Sequence, residues 1–209
     1  MFSDLSGLQM LFIIGSIVLS MGIHEAMHAF SAHALGDTTA KDMGRLTLNP
    51  FKHIDIYTTL LLPMVLILLG VQPFFAAKPV PFNPYNVRFN EYGAALIGIA
   101  GPLTNFALAA IAAILIHLTG IAIGTVPYDA ITIFIQVNLG FFVFNMIPFP
   151  PLDGSRLLYA FAPERLQEVM YRIESAGFTT IIFFMILLFP LIGPVYSNIV
   201  SGLYQFLLG

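Results

Sequence analysis

Apolar residues cluster into long runs that shorter polar stretches separate. The first run extends from about Leu8 to Leu35, and residues 5–23 carry no charge in it. Further apolar runs cover about 58–75, 92–118, 128–147 and 178–208. Because about 20 apolar residues span a bilayer as a helix, this pattern predicts an all-α polytopic membrane protein with about 5–6 transmembrane segments.

The region between the first and third segments has a different pattern. Residues 44–48 alternate in polarity, which is typical of a short strand or an extended edge. Residues 76–90 contain three prolines, a density that excludes a regular helix. We therefore expect a short re-entrant or extended β-like region here, and residues 58–91 either re-enter the membrane or cross it twice.

The C-terminal part combines a charged helix with a last apolar run. Residues 155–177 carry charges of both signs, which predicts a helix outside the bilayer or at its surface. The run 178–208 contains Pro190 and Pro194, so it is either one bent span or a short hairpin. We expect a single membrane domain over residues 1–209, with a core of about 8–170 and an accessory membrane segment at 178–208.

Composition supports a membrane protein and excludes several other classes. Hydrophobic residues make up 58% of the chain and charged residues 9%, whereas soluble domains carry about 25% charged residues. A net charge of −3 without a basic cluster argues against a nucleic-acid partner. The chain has no cysteine, which excludes disulfides and cysteine-ligated zinc. No basic residue precedes the first apolar run, so we expect that run to remain as a membrane helix.

The first segment contains the sequence His24-Glu25-Ala26-Met27-His28. Two histidines four residues apart lie on one face of a helix, where both rings can reach one metal ion. Glu25 lies on the neighbouring face, where it can hold the attacking water and take its proton. This is the H-E-x-x-H arrangement of zinc hydrolases, and it predicts Zn²⁺ with His24 and His28 as ligands and Glu25 as the catalytic base. The alternative is that both histidines are hydrogen-bonded packing residues.

A zinc site of this kind needs a third protein ligand. Asp153 follows the proline-rich end of the fourth segment, where broken backbone at membrane depth can line a cavity. It is the strongest candidate ligand, although a carboxylate that caps a helix would fit the sequence locally. In the third segment, Gly101-Pro102 is expected to break the helix, and Asn105 places an amide in the membrane. Asn105 either joins helices or contacts substrate.

The distribution of basic residues predicts the orientation in the membrane. Lys and Arg lie at 41–52, 78–88 and 156–172, whereas the loop 119–127 has none. By the positive-inside rule, the first segment runs from outside to the cytoplasm and the fourth returns to the same side. His24, His28 and Asp153 then reach a common depth near the cytoplasmic face.

These motifs resemble those of the site-2 protease family of intramembrane zinc metalloproteases, the M50 peptidases. The resemblance covers most of the chain, from the H-E-x-x-H motif to residue 156, and is greatest to the compact prokaryotic branch without a PDZ domain. It rests on five further stretches: Gly36-Asp37-Thr38, Gly44 to Pro50, Ala77 to Pro81, Gly101 to Asn105 and Asn145 to Gly154. The resemblance implies zinc held by His24, His28 and Asp153, and a substrate contact by Asn145.

The function implied by the resemblance is hydrolysis of peptide bonds in or near transmembrane helices of membrane-protein substrates. The expected location is a prokaryotic plasma membrane, with the lipid bilayer and the substrate as the partners; the oligomeric state stays open. The alternative is a membrane metal-ion or proton transporter that uses the same His/Asp site. Transporters often have repeated halves and polar groups that continue to the other face, and the sequence has little of either.

Overall fold

The computed structural model of the chain describes residues 6–68 and 77–209. Helix α1 covers Gly7–Ala34 and is followed by α2 (Thr39–Asp42) and α3 (Leu62–Leu68). Helices α4 (Asn90–Thr119) and α5 (Val126–Asn145) form a long antiparallel pair. The chain ends with α6 (Gly154–Phe161), α7 (Glu164–Ser175), α8 (Phe178–Phe183) and α9 (Phe189–Leu208). Short 3₁₀ and π turns lie at Pro50–Lys52, Ile56–Leu61, Pro84–Asn86 and Phe184–Leu188.

Among the described residues, four helical stretches are long and apolar enough to cross a membrane. They are Gly7–Ala34, Asn90–Thr119, Val126–Asn145 and Thr179–Leu208. The prediction of an all-α membrane protein is therefore confirmed for the described residues. The described residues contain fewer than the predicted number of about 5–6 spans. In the apolar run that begins at 58, they form only a π turn and the seven-residue helix α3. Residues 69–76 of that run lie outside the described part of the chain.

The predicted β-like region contains no strand among the residues that the structure describes. Residues 44–48 form turns and bends instead of a strand. Residues 77–83 have no regular secondary structure, as their prolines predicted. The prediction that 58–91 re-enters the membrane or crosses it twice includes residues 69–76, which lie outside the described residues.

Three prolines affect the helices less than the sequence indicated. Helix α4 continues through Pro102, where a break was expected. A proline removes one backbone hydrogen bond, and the packing of α4 against α1, α5 and α6 keeps the helix intact. The last apolar run likewise passes Pro190 and Pro194 as one helical stretch, which excludes a hairpin.

One charged helix was predicted for residues 155–177, but the charged residues of this range lie on two helices, α6 and α7. Pro163 separates α6 from α7, and the Arg156 guanidinium forms an ion pair with Glu174 across that break. The C-terminal end of α1 is joined to the beginning of α4, because the Arg88 N–H donates to the Leu35 carbonyl at 2.9 Å. The helices that contain the predicted site residues are thus tied together at the same end of the bundle.

A buried carboxylate organises the loop after α1. Asp37 is fully buried and accepts hydrogen bonds from the Thr39 hydroxyl at 2.7 Å, the Asn83 N–H at 3.2 Å and the Asn86 amide at 3.3 Å. Burial by itself raises the pKa of the Asp37 carboxyl, but these donors outweigh it and hold the pKa below its ordinary value. Asp37 therefore ties the end of α1 to residues 83–86 as an ionised group.

Candidate metal centre

Two imidazoles and a carboxylate meet where α1, α4 and the turn before α6 come together. The Nε2 atoms of His24 and His28 lie 3.0 Å apart. The Oδ2 atom of Asp153 lies 3.0 Å from His24 Nε2 and 3.4 Å from His28 Nε2. Both histidines are buried, at 6% and 8% exposure. Residues separated by 129 positions in sequence thus place three donor atoms around one point.

The second nitrogen of each ring is already engaged. His28 Nδ1 lies 2.7 Å from the carbonyl oxygen of Ile97, and His24 Nδ1 lies 2.5 Å from Oδ1 of Asn105. A carbonyl can only accept, so the Nδ1 atom of His28 carries the hydrogen and its Nε2 lone pair faces the centre. Lone pairs and a carboxylate that face one another are stabilised by a cation between them.

The dimensions of this triangle fit zinc. Zn–N bonds of about 2.0–2.1 Å and Zn–O bonds of about 2.0–2.2 Å in a tetrahedron place neighbouring ligand atoms roughly 3.3–3.4 Å apart. The observed separations are 3.0–3.4 Å. Two histidines and one carboxylate with a fourth position left over are the donor set of catalytic zinc sites.

Gly101 of α4 leaves the space that an ion needs. A Cβ atom at position 101 would lie 2.5 Å from His28 Nε2 and 2.6 Å from His24 Nε2. Any other side chain would therefore occupy the volume between the two rings. The requirement for glycine here comes from the close approach of α4 to the imidazoles, because Gly101 lies in regular helix.

Glu25 lies beside the triangle and is held by a backbone group. Its carboxylate has an oxygen within 4.8 Å of ligand atoms of both histidines. Its Oε2 atom accepts a hydrogen bond from the Val80 N–H at 3.0 Å. Of the two carboxylates, Asp153 has the oxygen within 3.4 Å of both rings, so Asp153 fits the ligand position better and Glu25 fits a role beside the metal.

The segment that contacts Glu25 is fixed by residues that sequence reasoning did not select. The Arg45 guanidinium donates to the carbonyls of Lys78 and Pro79 at 3.2 and 3.3 Å, and it is buried. The Lys78 N–H donates to the carbonyl of His53 at 2.8 Å. The His53 ring is hydrogen-bonded through Nε2 to the Thr47 carbonyl at 2.9 Å. No sequence pattern indicated that Arg45 would reach residues 78–79.

A cavity of about 350 Å³ opens onto the triangle. Its lining includes His24, Glu25, His28, Asn145, Asp153 and Arg156. Phe82 lies on the cavity wall with the Arg156 guanidinium 5.7 Å from its ring centre. The wall thus combines apolar side chains with the few polar groups of the centre.

The structure brings five of the six predicted site residues to this cavity. Asn145 lies on the wall, and its amide donates to the Phe141 carbonyl at 3.0 Å. Asn105, for which helix joining and substrate contact were both left open, is fully buried and is not among the residues that line the cavity. His117 lies elsewhere, hydrogen-bonded to the Leu207 carbonyl.

Two further buried polar residues lie behind the centre and were missed by sequence reasoning. Ser20 and Asn138 have no exposed surface, and both contact Asn105. The signal for Asn138 was present, since it is an amide within the apolar run of the fourth segment, like Asn105 in the third. Ser20 gave no such signal because serine is common in membrane helices.

Comparison with known proteins finds relatives that align with most of this chain. The chain is 37% identical over 187 residues to "Putative zinc metalloprotease YwhC" of Bacillus subtilis (strain 168). The aligned region covers 86% of this chain and 81% of that protein. It is 26% identical over 196 residues to "Putative zinc metalloprotease Rip2" of Mycolicibacterium smegmatis, and 28% identical over 194 residues to the protein of that name in Mycobacterium tuberculosis strain H37Rv. These matches cover 93% and 92% of this chain and 73% of each relative.

No protein-family model and no solved structure matches the chain. The donor set agrees with the zinc in the relatives' names, and the four membrane-length helices make this a membrane protein. With that identity and coverage, the chain belongs to the zinc metalloprotease family of YwhC.

Proposed function

We propose that this protein is an intramembrane zinc metalloprotease of the site-2 protease type (M50), which hydrolyses peptide bonds in or near transmembrane helices of membrane proteins. The observation that carries the proposal is the triangle of His24, His28 and Asp153 with Glu25 beside it, inside a bundle of membrane-length helices. A soluble protease would not need its catalytic groups at this position.

The depth of the centre supports cleavage within the membrane. His24 lies ten residues before the end of α1 at Ala34, and Gly101 lies eleven residues after the beginning of α4 at Asn90. At 1.5 Å per residue, both positions are roughly 15 Å from the helix ends. A substrate helix in the bilayer could present a bond at this depth, provided that it unwinds locally.

The chain's own residues supply the groups that hydrolysis requires. A zinc ion bound by the two imidazoles and Asp153 would polarise the scissile carbonyl and lower the pKa of the attacking water. Glu25 is placed to accept the proton of that water and to pass it to the leaving amine. The Val80 N–H donates to the Glu25 carboxylate, and this hydrogen bond holds the side chain in the rotamer that lies beside the centre.

The cavity walls suggest how a substrate is held. Asn145 lines the same cavity as residues of the segment 77–83, and we propose that its amide contacts the substrate backbone. Residues 77–83 have no regular secondary structure, and the Val80 N–H contacts Glu25, so the backbone groups of this segment could pair with an unwound substrate by edge addition. Both contacts would orient the scissile carbonyl towards the metal.

The basic residues support an orientation with the centre nearer the cytoplasmic face. They lie in the connections at the end of the bundle where α1 ends and α4 begins, and the α4–α5 loop has none. We propose the plasma membrane of a prokaryotic cell as the location, with the lipid bilayer and a transmembrane substrate as the partners.

The transporter alternative is less compatible with the packing of the bundle. Beyond Asn138, the core between α4 and α5 is apolar, formed by Ala109, Ala112, Ala113, Ile116, Ile135 and Leu139. The buried polar residue Thr132 lies on α5 in this direction, but its hydroxyl donates to the Tyr128 carbonyl of its own helix, whereas transport needs polar groups that continue to the other face.

The test combines metal content with cleavage. Purified wild type should contain one zinc ion per chain and cleave model transmembrane peptides, whereas Glu25→Gln should retain the zinc and lose about 10²–10⁴-fold in kcat because the base is absent. Glu168→Gln, a matched change on the exposed surface of α7, should have wild-type activity. A Glu25→Gln protein that cleaves at the wild-type rate would contradict the proposal.

A further inference from the structure

A chain of hydrogen bonds runs from the interior of the bundle to the metal centre. Asn138 Nδ2 lies 2.8 Å from Ser20 Oγ, Asn138 Oδ1 lies 2.9 Å from Asn105 Nδ2, and Asn105 Oδ1 lies 2.5 Å from His24 Nδ1. Ser20, Asn105 and Asn138 have no exposed surface. Three helices, α1, α4 and α5, each contribute one of these residues.

The direction of the chain is set by a backbone carbonyl. Asn138 Nδ2 lies 2.9 Å from the carbonyl oxygen of Phe134, which can only accept a hydrogen bond. The amide nitrogen of Asn138 must therefore face Phe134 and Ser20, and its oxygen must face Asn105. The opposite orientation would place two oxygens against each other in a site without exposed surface, which costs about 1–3 kcal/mol.

The orientation of Asn105 follows from that of Asn138. The Asn105 amide nitrogen donates to Asn138 Oδ1, and the Ser20 carbonyl lies 3.4 Å from the same nitrogen. Both neighbours are acceptors, so the Asn105 oxygen is the atom that faces His24. An acceptor at this place requires a hydrogen on His24 Nδ1 and leaves the Nε2 lone pair for the metal.

We propose that Asn138 is a positioning residue for zinc, which acts through Asn105 to fix the tautomer and ring orientation of His24. The inference rests on the zinc site of the proposed function. His28 needs no such device, because the Ile97 carbonyl performs the same task for its ring. Neither asparagine touches the cavity, so neither meets substrate.

The chain of contacts predicts a long-range effect on metal binding. Asn138→Leu should weaken zinc affinity about 10–100-fold, the range found when groups behind a metal ligand are removed. Thr132→Val is the matched control, because Thr132 is also buried on α5 and donates to its own helix at the Tyr128 carbonyl. Its zinc affinity should equal that of wild type. The readout is competition with a chelator of known affinity, in detergent and without substrate.

A double variant separates positioning from a structural role. Asn105→Leu should weaken zinc binding at least as much as Asn138→Leu, and the double variant should bind zinc no more weakly than Asn105→Leu alone. Independent structural losses would add instead. Asn138→Ala, a smaller change, serves if the leucine variant does not fold, and thermal unfolding of the zinc-free proteins identifies that case.

Two outcomes would overturn the inference. If Asn138→Leu or Asn138→Ala binds zinc as tightly as Thr132→Val, Asn138 does not position His24. If the losses of the two asparagine variants add, Asn138 acts by another route. A wild type that binds no zinc would overturn the proposed function as well, whereas tight binding by wild type with either of the first two results would overturn only this inference.

Discussion

The two ends of the α4–α5 pair use small and polar residues for different purposes. At the end with the metal centre, Gly101 admits the two imidazoles, and Asn105 and Asn138 are buried with their hydrogen bonds satisfied. At the other end, Ala109 and Ala113 pack in one apolar cluster with Ile135 and Leu139, and the hydroxyl of the buried Thr132 donates to its own helix at the Tyr128 carbonyl. The same helix pair thus has a polar centre at one end and an apolar packing surface at the other.

The difference indicates what holds each end. In a bilayer, helices gain little from the hydrophobic effect, so the alanine end depends on close packing. The centre end depends on hydrogen bonds and on the metal, because buried acceptors that face one another are costly without a cation. Changes at the two ends should therefore differ in kind, with metal binding affected at one end and only stability at the other.

The largest effect is expected from Gly101→Ala. The added Cβ would lie 2.5–2.6 Å from both Nε2 atoms and would occupy the position of the ion. Zinc affinity should fall by roughly 100-fold or more, beyond the usual effect of residues behind the ligands. Zinc competition measures it, and Gly193→Ala, at a position where a Cβ meets nothing within 4 Å, is the control. Equal zinc affinity in the two variants would contradict the claim that zinc binding requires glycine at position 101.

Asp37→Asn tests the loop that joins α1 to α4. The folded pKa of Asp37 lies below its ordinary value, so its ionised form stabilises the fold above the unfolded pKa of about 4, and this contribution is lost as the pH falls towards the folded pKa. At pH 7 the variant should be about 1.5–3 kcal/mol less stable than wild type, and the difference should shrink as the pH falls below the unfolded pKa of about 4.

The measurement is thermal unfolding of zinc-free wild type and variant across that pH range. Taking the difference between the two proteins cancels the titration of the other carboxylates. Asp42→Asn, in the same loop but exposed, should leave a small and constant difference. A gap for Asp37→Asn that persists unchanged at low pH would contradict the assigned role.

At the apolar end, Ala113→Gly should lower the stability by about 1 kcal/mol, since glycine inside a helix costs that much relative to alanine. Ala113 is 1% exposed and packs in the cluster with Ile135 and Leu139. Zinc affinity should not change. Loss of zinc binding in this variant would mean that the two ends are not separable as described.

The smallest effect is expected at the ion pair between α6 and α7. Arg156 and Glu174 are each about one-third exposed, so the pair should contribute less than about 1 kcal/mol. Glu174→Gln should therefore leave the melting temperature nearly unchanged, and the effect of raising salt on wild type should be equally small. A loss of several kcal/mol would indicate that this contact is shielded from water.

Much of the site could be predicted because its chemistry is local in sequence. The spacing of His24 and His28 on one helix fixes their common face, and the proline-rich approach to Asp153 marks broken backbone next to a carboxylate. Gly101 could not be interpreted in this way: a glycine in a small-residue run predicts close helix approach, but not that imidazoles are what approaches.

The remaining features depend on how distant segments pack. Asn105 has the same sequence signal whether it faces a cavity or a neighbouring helix, and only the position of His24 decides between them. Pro102 predicted a broken α4, because the sequence does not contain the packing that keeps the helix continuous. Arg45 lies 33 and 34 positions before its partners Lys78 and Pro79 in the sequence, so no local pattern could have indicated the contact.

The central claim is that His24, His28 and Asp153 hold one zinc ion while Glu25 stays beside it. Anomalous scattering at the zinc edge, from crystals of the wild-type protein, tests this most directly. The account predicts one peak about 2.0–2.2 Å from Nε2 of both histidines and from an Asp153 carboxylate oxygen. A peak ligated by Glu25 in place of Asp153, or zinc bound away from the two histidines, would contradict it.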